Sequence, residues 1–396
     1  MGIDYRNTNN SRGGRSAFKF IQLVLSTALY NGFRIYFSLL GLNRKPAKLF
    51  QVNKLCILGF GGIGNHLMLV PVIKALKKYN PGVIITVIVP SKACAGIFKN
   101  NPDVSSVIII KQRSRFVFKG IMQAGIRVRR LKPDAVMAAS GTNPVTGGLI
   151  SYWGRAKIRV GEDWHGRGWL YTNSIKANQH SSEINQNFKL ARIFNIVKES
   201  NLPELYLSEK EIEWGHDWLK DCGLRPESKK IGIHPGCGKS QKWKRWDIEN
   251  FLKVTRNLTG NGNVEAVYFI GPDDTDLIRY FSISDAGRYV IFPEKYSIRE
   301  AASVIKICDV FLSNDSGLRH IAAAVGAKTI GIFGPTSIKK NFTTSDEHLS
   351  ITAECVSCSP CHYTGWWLAC GDKIPCLRLV SPEDVTKKVL LLLHST

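Results

Sequence analysis

Three short stretches hold residues whose types and spacing suit the handling of an anion. In the first, Asp315-Ser316-Gly317, an apolar run (DVFLSND) passes into a helical pattern (GLRHIAAA). The backbone N–H groups of Ser316 and Gly317, with the helix dipole behind them, can hold a diphosphate. Glycine lets a phosphate approach the chain closely. Asp315 falls at the C-terminal edge of a sheet, where ligands bind in open α/β folds. Capping the helix is its plainer role, and one carboxylate can serve both. His320, further along the helix, either reaches a phosphate or packs where it stands. The second stretch is KSQKWKR at 239–245, in which Lys244 and Arg245 offer cations in a loop rich in Lys and Trp. In the third, Gly59, Gly61 and Gly64 satisfy G-x-G-x-x-G between an apolar run and a helical one. That pattern is a dinucleotide fingerprint, but a NAD site also asks for an acid after the second strand. Here that strand ends Ile88-Val89-Pro90-Ser91-Lys92. The residues favour a tight turn shaping a substrate cleft; a NAD(P)-dependent oxidoreductase is the alternative from another class.

Two further clusters invite a metal. Cys355, Cys358, Cys361, Cys370 and Cys376 follow C-x2-C-x2-C-x8-C-x5-C, a density compatible with zinc or an iron–sulfur centre. Asp274-Thr275-Asp276 imitates a D-x-D metal motif, yet it follows the strand AVYFIGP directly, so acids at a helix start explain it better. We expect no required metal and no cofactor. The remaining cysteines are scattered, mostly in apolar runs. That is unlike a disulfide framework and suits a cytoplasmic protein.

A strand–helix rhythm must position these residues. Over 51–200, KLCILGF, VIITVIVP, SSVIIIK and DAVMAAS read as buried strands, with GGIGNHLMLVPVIKALKKYNP as the helix after the first. A linker near 200–228, with Pro203, Gly223 and Pro226, leads to a second series over 229–380. There IGIHPG, AVYFIGP, YVIF, DVFLSND and TIGIFGP read as strands, and 247–258 and 298–307 as helices. Strands alternating with helices predict parallel sheets covered on both faces. The expected fold class is α/β, with two Rossmann-like domains facing a cleft, a Cys-rich loop at 355–376 and a C-terminal helix at 381–396. A chain of 396 residues is long enough for two such cores.

Composition excludes other classes and raises a question of partners. An apolar share of 44% excludes a disordered chain, and charges in every long segment exclude a polytopic membrane protein. Lys and Arg number 54 against 31 acids, a net charge of +23. The excess is not uniform. Residues 1–50 hold eight basic residues and one acid around the stretch AFKFIQLVLSTALYNGFRIYFSLLGL. This reads as a basic amphipathic helix suited to an anionic membrane surface. Residues 111–132 hold eight basic residues and no acid, a solvated face or a surface for phosphates. No zinc-finger or RNA-binding signature accompanies the charge, so nucleic acid is not expected. The polar start and the lack of a small-residue cleavage site argue against a secretory signal. The expected location is cytoplasmic, peripheral to the inner membrane.

At this point the motifs carry a resemblance. NDSGLRHIAAAVGAKTIGIFGPT at 314–336 is similar to the signature of glycosyltransferase family 9, the heptosyltransferases of lipopolysaccharide core assembly. HPGCGKSQKWKRW at 234–246 and GGIGNHLMLVP at 61–71 resemble two further segments of that family, and the likeness spans about 54–395. It implies a GT-B fold and an inverting transfer of a sugar, such as heptose from ADP-heptose, to a lipopolysaccharide-core or related glycan acceptor. By the same resemblance the donor nucleotide sugar would be held by Lys244, Arg245, Asp315, Ser316, Gly317 and His320. Lys244 would stabilise the leaving diphosphate, Asp315 would contact the donor sugar, and Gly62 and Gly64 would lie on the acceptor side. Similar C-x2-C segments in the family make the cysteine cluster a structural loop. One departure matters. The family commonly has an Asp, taken as general base, where this chain has Asn65, and an amide takes no proton usefully at neutral pH. Either Asn65 orients the acceptor while His66, Glu162, Asp163 or His165 acts as base, or the chain uses another acceptor, or it is a catalytically silent protein that binds glycans or membranes.

Overall fold

The structure is a computed structural model that describes residues 52–111, 117–178, 180–198, 202–260, 262–281, 289–292, 295–341, 345–361, 370 and 374–395, together with Gly32 and Ile35. The amphipathic reading of residues 1–50, part of the basic run and part of the Cys-rich loop therefore lie outside the described residues.

The first unit is a parallel sheet of β1 (Lys54–Leu58), β2 (Ile84–Val89), β3 (Ser106–Ile109), β4 (Ala135–Ala138), β5 (Ile158–Asp163) and β6 (Asn173–Lys176), in the order β3-β2-β1-β4-β5-β6. The second comprises β7 (Lys229–His234), β8 (Val264–Phe269), β9 (Tyr289–Phe292), β10 (Val310–Asn314), β11 (Lys328–Ile332) and β12 (His348–Ile351), in the order β12-β11-β10-β7-β8-β9. The two orders are one pattern repeated. The inner strands are continuous apolar runs, buried throughout in β4 and β10, because helices cover both faces. Each sheet reverses direction of assembly beside its first strand, between β1 and β4 and between β7 and β10. Crevices at the C-terminal ends of strands at such points are where ligands sit.

The helices follow in chain order: α1 (Ile63–Leu67), α2 (Val70–Tyr79), α3 (Lys92–Gly96), α4 (Val117–Leu131), α5 (Pro144–Trp153), α6 (Glu183–Ala191) and α7 (Glu209–Asp221). The second unit carries α8 (Ile248–Thr259), α9 (Ile298–Ile307), α10 (Gly317–Ala324), α11 (Ile338–Asn341), α12 (Pro375–Arg378) and α13 (Pro382–His394). Among the described residues no helix is long and apolar enough to cross a membrane.

Two features differ from the sequence reading. The helix expected after β1 is two helices, α1 and α2, because Pro71 lies in the first turn of the second, where its missing N–H costs nothing. The stretch read as linker contains α7. Ser208 and Glu211 form its capping box, and its buried Trp218 and Leu219 belong to an apolar cluster continuous from Leu55 in the first unit to Phe311 in the second. The same flank is tied by Arg299 of α9. Its guanidinium donates to Glu211 (2.6 and 2.7 Å), to the Tyr206 carbonyl (2.6 Å) and, across the junction, to the carbonyls of Gly96 (2.7 Å) and Lys99 (3.2 Å).

Candidate active site

The loop after β7 is built to hold Lys244 in place. Asn314, at the end of β10, donates to the Pro235 carbonyl (2.7 Å) and accepts from the Trp246 N–H (2.9 Å), so one side chain fixes both ends of the loop. Trp246 is buried against Phe251 and donates to the Val380 carbonyl (3.2 Å). Lys244 Nζ then reaches Asp315 Oδ2 at 3.1 Å, with the two side chains only 11% and 5% exposed. Burial by itself would raise the Asp315 carboxyl, but Lys244, followed by Arg319 and His320, outweighs it and holds the group down to about 2. Asp315 is thus an anion with a cation fixed against it.

Ser316 is extended and caps α10 without a side-chain hydrogen bond; its buried Oγ has no partner among the described residues. Burial and then the neighbouring Arg319 push His320 down to about 3, so its ring is neutral beside Asp315 and Lys244. The N-terminus of α10 therefore offers N–H groups, an unsatisfied hydroxyl and Lys244 to an anion, the combination that binds phosphate groups at helix starts.

Arg245 has a different place from its neighbour. Its guanidinium forms ion pairs with Asp274 and with Asp276 (2.8 Å). Asp274 also accepts from the Cys237 N–H (3.2 Å), passing over Gly236, where a Cβ would collide with the carboxylate. The acids of the D-x-D lookalike thus neutralise Arg245 and brace the loop.

Across the cleft, the glycine turn after β1 uses its own donors. Gly59 N–H goes to the Ile88 carbonyl (2.9 Å), Phe60 N–H to Thr142 Oγ1 (3.3 Å) and Gly62 N–H to Asn65 Oδ1 (2.7 Å). These three N–H groups bond within the protein, and a Cβ at Gly59, Gly61 or Gly64 would stand within 3 Å of His66, Asn65 or His320, so the glycines of the fingerprint mark close packing. His66 lies under it, fully buried, with Nδ1 2.7 Å from the Gly62 carbonyl and Nε2 3.0 Å from that of Gly59. Burial acts to lower its pKa, but Cys94 and the two carbonyls prevail and raise it. Both ring nitrogens are engaged by the backbone, which leaves neither for a substrate hydroxyl. His66 braces the turn.

Asn65 sits at the cleft surface, wedged between Gly61 and Gly141; a Cβ at either would stand 2.5–2.6 Å from its amide group. Its Nδ2 donates to Glu183 Oε2 at 2.5 Å. Glu183, the first residue of α6, is a site residue that sequence reasoning missed. The acids named there are placed otherwise. Glu162 is buried and accepts from Ser140 Oγ (2.9 Å), Gln186 Nε2 (3.2 Å) and Trp164 Nε1 (3.0 Å). Asp163 accepts from the Gly168 N–H (3.1 Å), and His165 is exposed.

These groups line two adjoining cavities. A larger one, about 1040 Å³, runs from Pro90–Lys92 past Phe269–Asp274 to Phe292 and Tyr296. A smaller one, about 310 Å³, holds Asn65, Glu183, Lys244, Asp315, His320 and Lys340. They share Gly62, Ile63, Gln241, Ser316 and Gly317. The larger has the size and apolar walls of a small-molecule site, the smaller a ring of charge. The halves also touch here: a Cβ on Gly64 would stand 2.8 Å from His320.

Residues 128–365 match the model of glycosyltransferase family 9 (heptosyltransferase). The chain belongs to this family. It is 26% identical over 303 residues to lipooligosaccharide heptosyltransferase 2 of Haemophilus influenzae, a match that takes in 71% of this chain and 83% of that one. The structure of the E. coli ADP-heptose lipopolysaccharide heptosyltransferase II aligns with a TM-score of 0.70 at 19% identity, over 86% of this chain and 98% of that one. A family 9 glycosyl transferase of Veillonella parvula aligns with a TM-score of 0.73 at 17% identity, over 89% and 100%. The fold is accordingly GT-B, and the family 9 chain is a glycosyltransferase. In the cysteine loop, burial and then the thiols of Cys361, Cys358 and Cys370 push Cys376 up to about 12. Among the described residues no group of three or more His, Cys, Asp or Glu is arranged to hold a metal ion.

Proposed function

We propose that this family 9 chain transfers a heptose from ADP-heptose to a lipopolysaccharide-core acceptor with inversion at the anomeric carbon. The observation that carries this reading is the buried Lys244–Asp315 pair, which lines the smaller cavity beside the Ser316–Gly317 start of α10 that both cavities share. A diphosphate on the Ser316–Gly317 N–H groups would extend its nucleoside into the larger cavity and its sugar into the smaller one. The acceptor oxygen then bonds to the anomeric carbon from the Asn65 side. The bond from that carbon to the diphosphate oxygen breaks, and its electron pair leaves with the nucleotide. Lys244 and the N-terminus of α10 meet the charge that develops there. One displacement inverts the centre. The cations are the protein's own, and no metal is assigned a part. Residues 51–200 form the acceptor domain in this reading, and 229–380 the donor domain.

The basic surface fits the acceptor end. Lys119, Arg127, Arg129 and Arg130 of α4 are exposed, and Lys92, Lys111, Lys119 and Arg127 line a further cavity of about 730 Å³. We assign this face to anionic groups of the acceptor or of the inner-membrane surface that presents it.

The test is incubation of the full chain with ADP-heptose and a truncated lipopolysaccharide core, following ADP release and acceptor mass. The expected result is acceptor-dependent ADP with one heptose added. Release from no nucleotide sugar in a panel, combined with thermal stabilisation by NAD(H) and not by ADP, would replace this reading with the oxidoreductase one. Sedimentation with anionic vesicles, with and without residues 1–50, tests the membrane assignment.

A further inference from the structure

A transferase that presents an amide where its family commonly places a carboxylate needs another proton acceptor, and the structure supplies one in a fixed relation to that amide. Asn65 Oδ1 accepts from the Gly62 N–H at 2.7 Å, which settles the orientation of the amide. Nδ2 must then face Glu183, and it does so at 2.5 Å. The amide packs against Gly61 and Gly141, in space that a Cβ at either position would occupy. Helix α6 is anchored just as firmly. The Ser140 N–H donates to Asn187 (2.8 Å) and Gln186 donates to Glu162 (3.2 Å), which sets the first turn of α6 against the ends of β4 and β5. Glu183 faces the smaller cavity together with Lys244, Asp315 and His320. The oxygen that Asn65 engages is Oε2, so Oε1 is the one left to meet a hydroxyl in that cavity.

From this geometry, and resting on the transferase reading above, we infer that Glu183 is the general base of the transfer and that Asn65 is its positioning residue. Glu183 Oε1 takes the proton of the acceptor hydroxyl as that oxygen attacks the anomeric carbon. The carboxylic acid so formed returns the proton to solvent after the nucleotide leaves.

The other acids of the site are poorly placed for this task. Asp315 is committed to Lys244, and Glu162 is enclosed by three donors. Burial pushes Glu183 up to about 6, against opposing influences of Lys340 and the Asn65 N–H and with smaller support from Glu162 and Asp315. A base is most useful when its pKa lies near the working pH. Lys340 from α11, Lys244 from the loop after β7, and Asp315 and His320 from the α10 start are the charged or titratable groups that share the cavity with it.

The experiment compares wild type, Glu183→Gln, Glu183→Asp, Asn65→Ala and the double variant Glu183→Gln/Asn65→Asp, with ADP-heptose and a truncated lipopolysaccharide core. ADP binding is measured separately by calorimetry. Glu183→Gln is expected to bind ADP within about twofold of wild type, to lose about 10²- to 10⁴-fold in kcat, and to lose the acid limb of the kcat–pH profile near 6. Glu183→Asp, which keeps a carboxylate, should retain that limb with an intermediate rate. Asn65→Asp in the Glu183→Gln background should restore at least about tenfold, by putting a carboxylate back at the turn. Asn65→Ala should shift the limb to higher pH, since the amide no longer steadies the anion; a residue that merely packs would leave the limb where it is. Turnover of Glu183→Gln within threefold of wild type, or an intact acid limb, with ADP binding normal, would overturn the assignment and spare the transferase reading. A wild type that neither binds ADP nor turns over ADP-heptose would overturn both.

Discussion

Replacing Glu183 by Gln should stabilise the protein, and only where the carboxyl would be ionised. The ordinary value for the group is 4.5, and burial raises it to about 6 in the folded chain. The folded state therefore prefers the neutral acid. Its contribution is fully present below 4.5 and is lost as the pH rises through about 6. A difference of about 1.5 units corresponds to about 2 kcal/mol. Gln is neutral throughout and can still accept the Asn65 N–H. The variant's stability relative to wild type should thus be nearly flat from pH 3.5 to 4.5, rise by about 2 kcal/mol by pH 7.5, and remain there. The assay is urea unfolding of both proteins at a series of pH values, followed by circular dichroism. Taking the difference between the two proteins at each pH cancels every other titrating group. A difference that does not change with pH, or one that favours wild type as the pH rises, would show that the carboxyl is not buried as described. It would also remove the reason for placing its titration near neutrality.

Other substitutions probe the rest of the site. Lys244→Met leaves Asp315 buried without its main partner and should cost about 3–5 kcal/mol in denaturant unfolding, most of it recovered in Lys244→Met/Asp315→Asn; transfer should be abolished in both. Gly64→Ala places a methyl group 2.8 Å from His320 and should weaken ADP binding roughly tenfold in calorimetry with an unchanged circular dichroism spectrum, because the strain falls where the two halves meet. Gly236→Ala should displace Asp274 and release Arg245, lowering stability by about 1–3 kcal/mol in the same unfolding assay.

How much of this was readable in the chain follows from where the information lies. The inner strands were visible because sheets covered on both faces need unbroken apolar runs, as in IITVIV and VFLSN. Strands β5 and β6 were not, since IRVGED and NSIK carry polar residues whose burial depends on tertiary partners. Arg159 is the clearest case; it is buried because its side chain donates to the carbonyls of Leu170 (2.8 Å) and Ala156 (3.1 Å). Helix α7 was hidden between Pro203 and Gly223, although its S-x-x-E capping signal stands in the sequence. Lys244, Asp315, Ser316 and Gly317 could be named because each lies in a local motif, and the structure brings them to one cavity. Glu183 had no such signal. It lies 118 residues from Asn65, and only the folding of α6 against the ends of β4 and β5 brings the two into contact. His66 misled for the converse reason: a histidine beside Asn65 in the chain has its ring beneath the turn, away from the cleft.

The pinning of the loop after β7 by Asn314 and Trp246 also bears on the entropy of binding. A free lysine gives up about 1.5–2 kcal/mol of rotamer freedom when it is fixed on a ligand. Here Lys244 is already confined by a loop closed at both ends and by Asp315. Its disorder is surrendered when the chain folds, before any nucleotide arrives. An incoming diphosphate only has to share a cation whose position is set, so little of its contact energy is drawn into ordering the protein, and more remains to act on the bond that breaks.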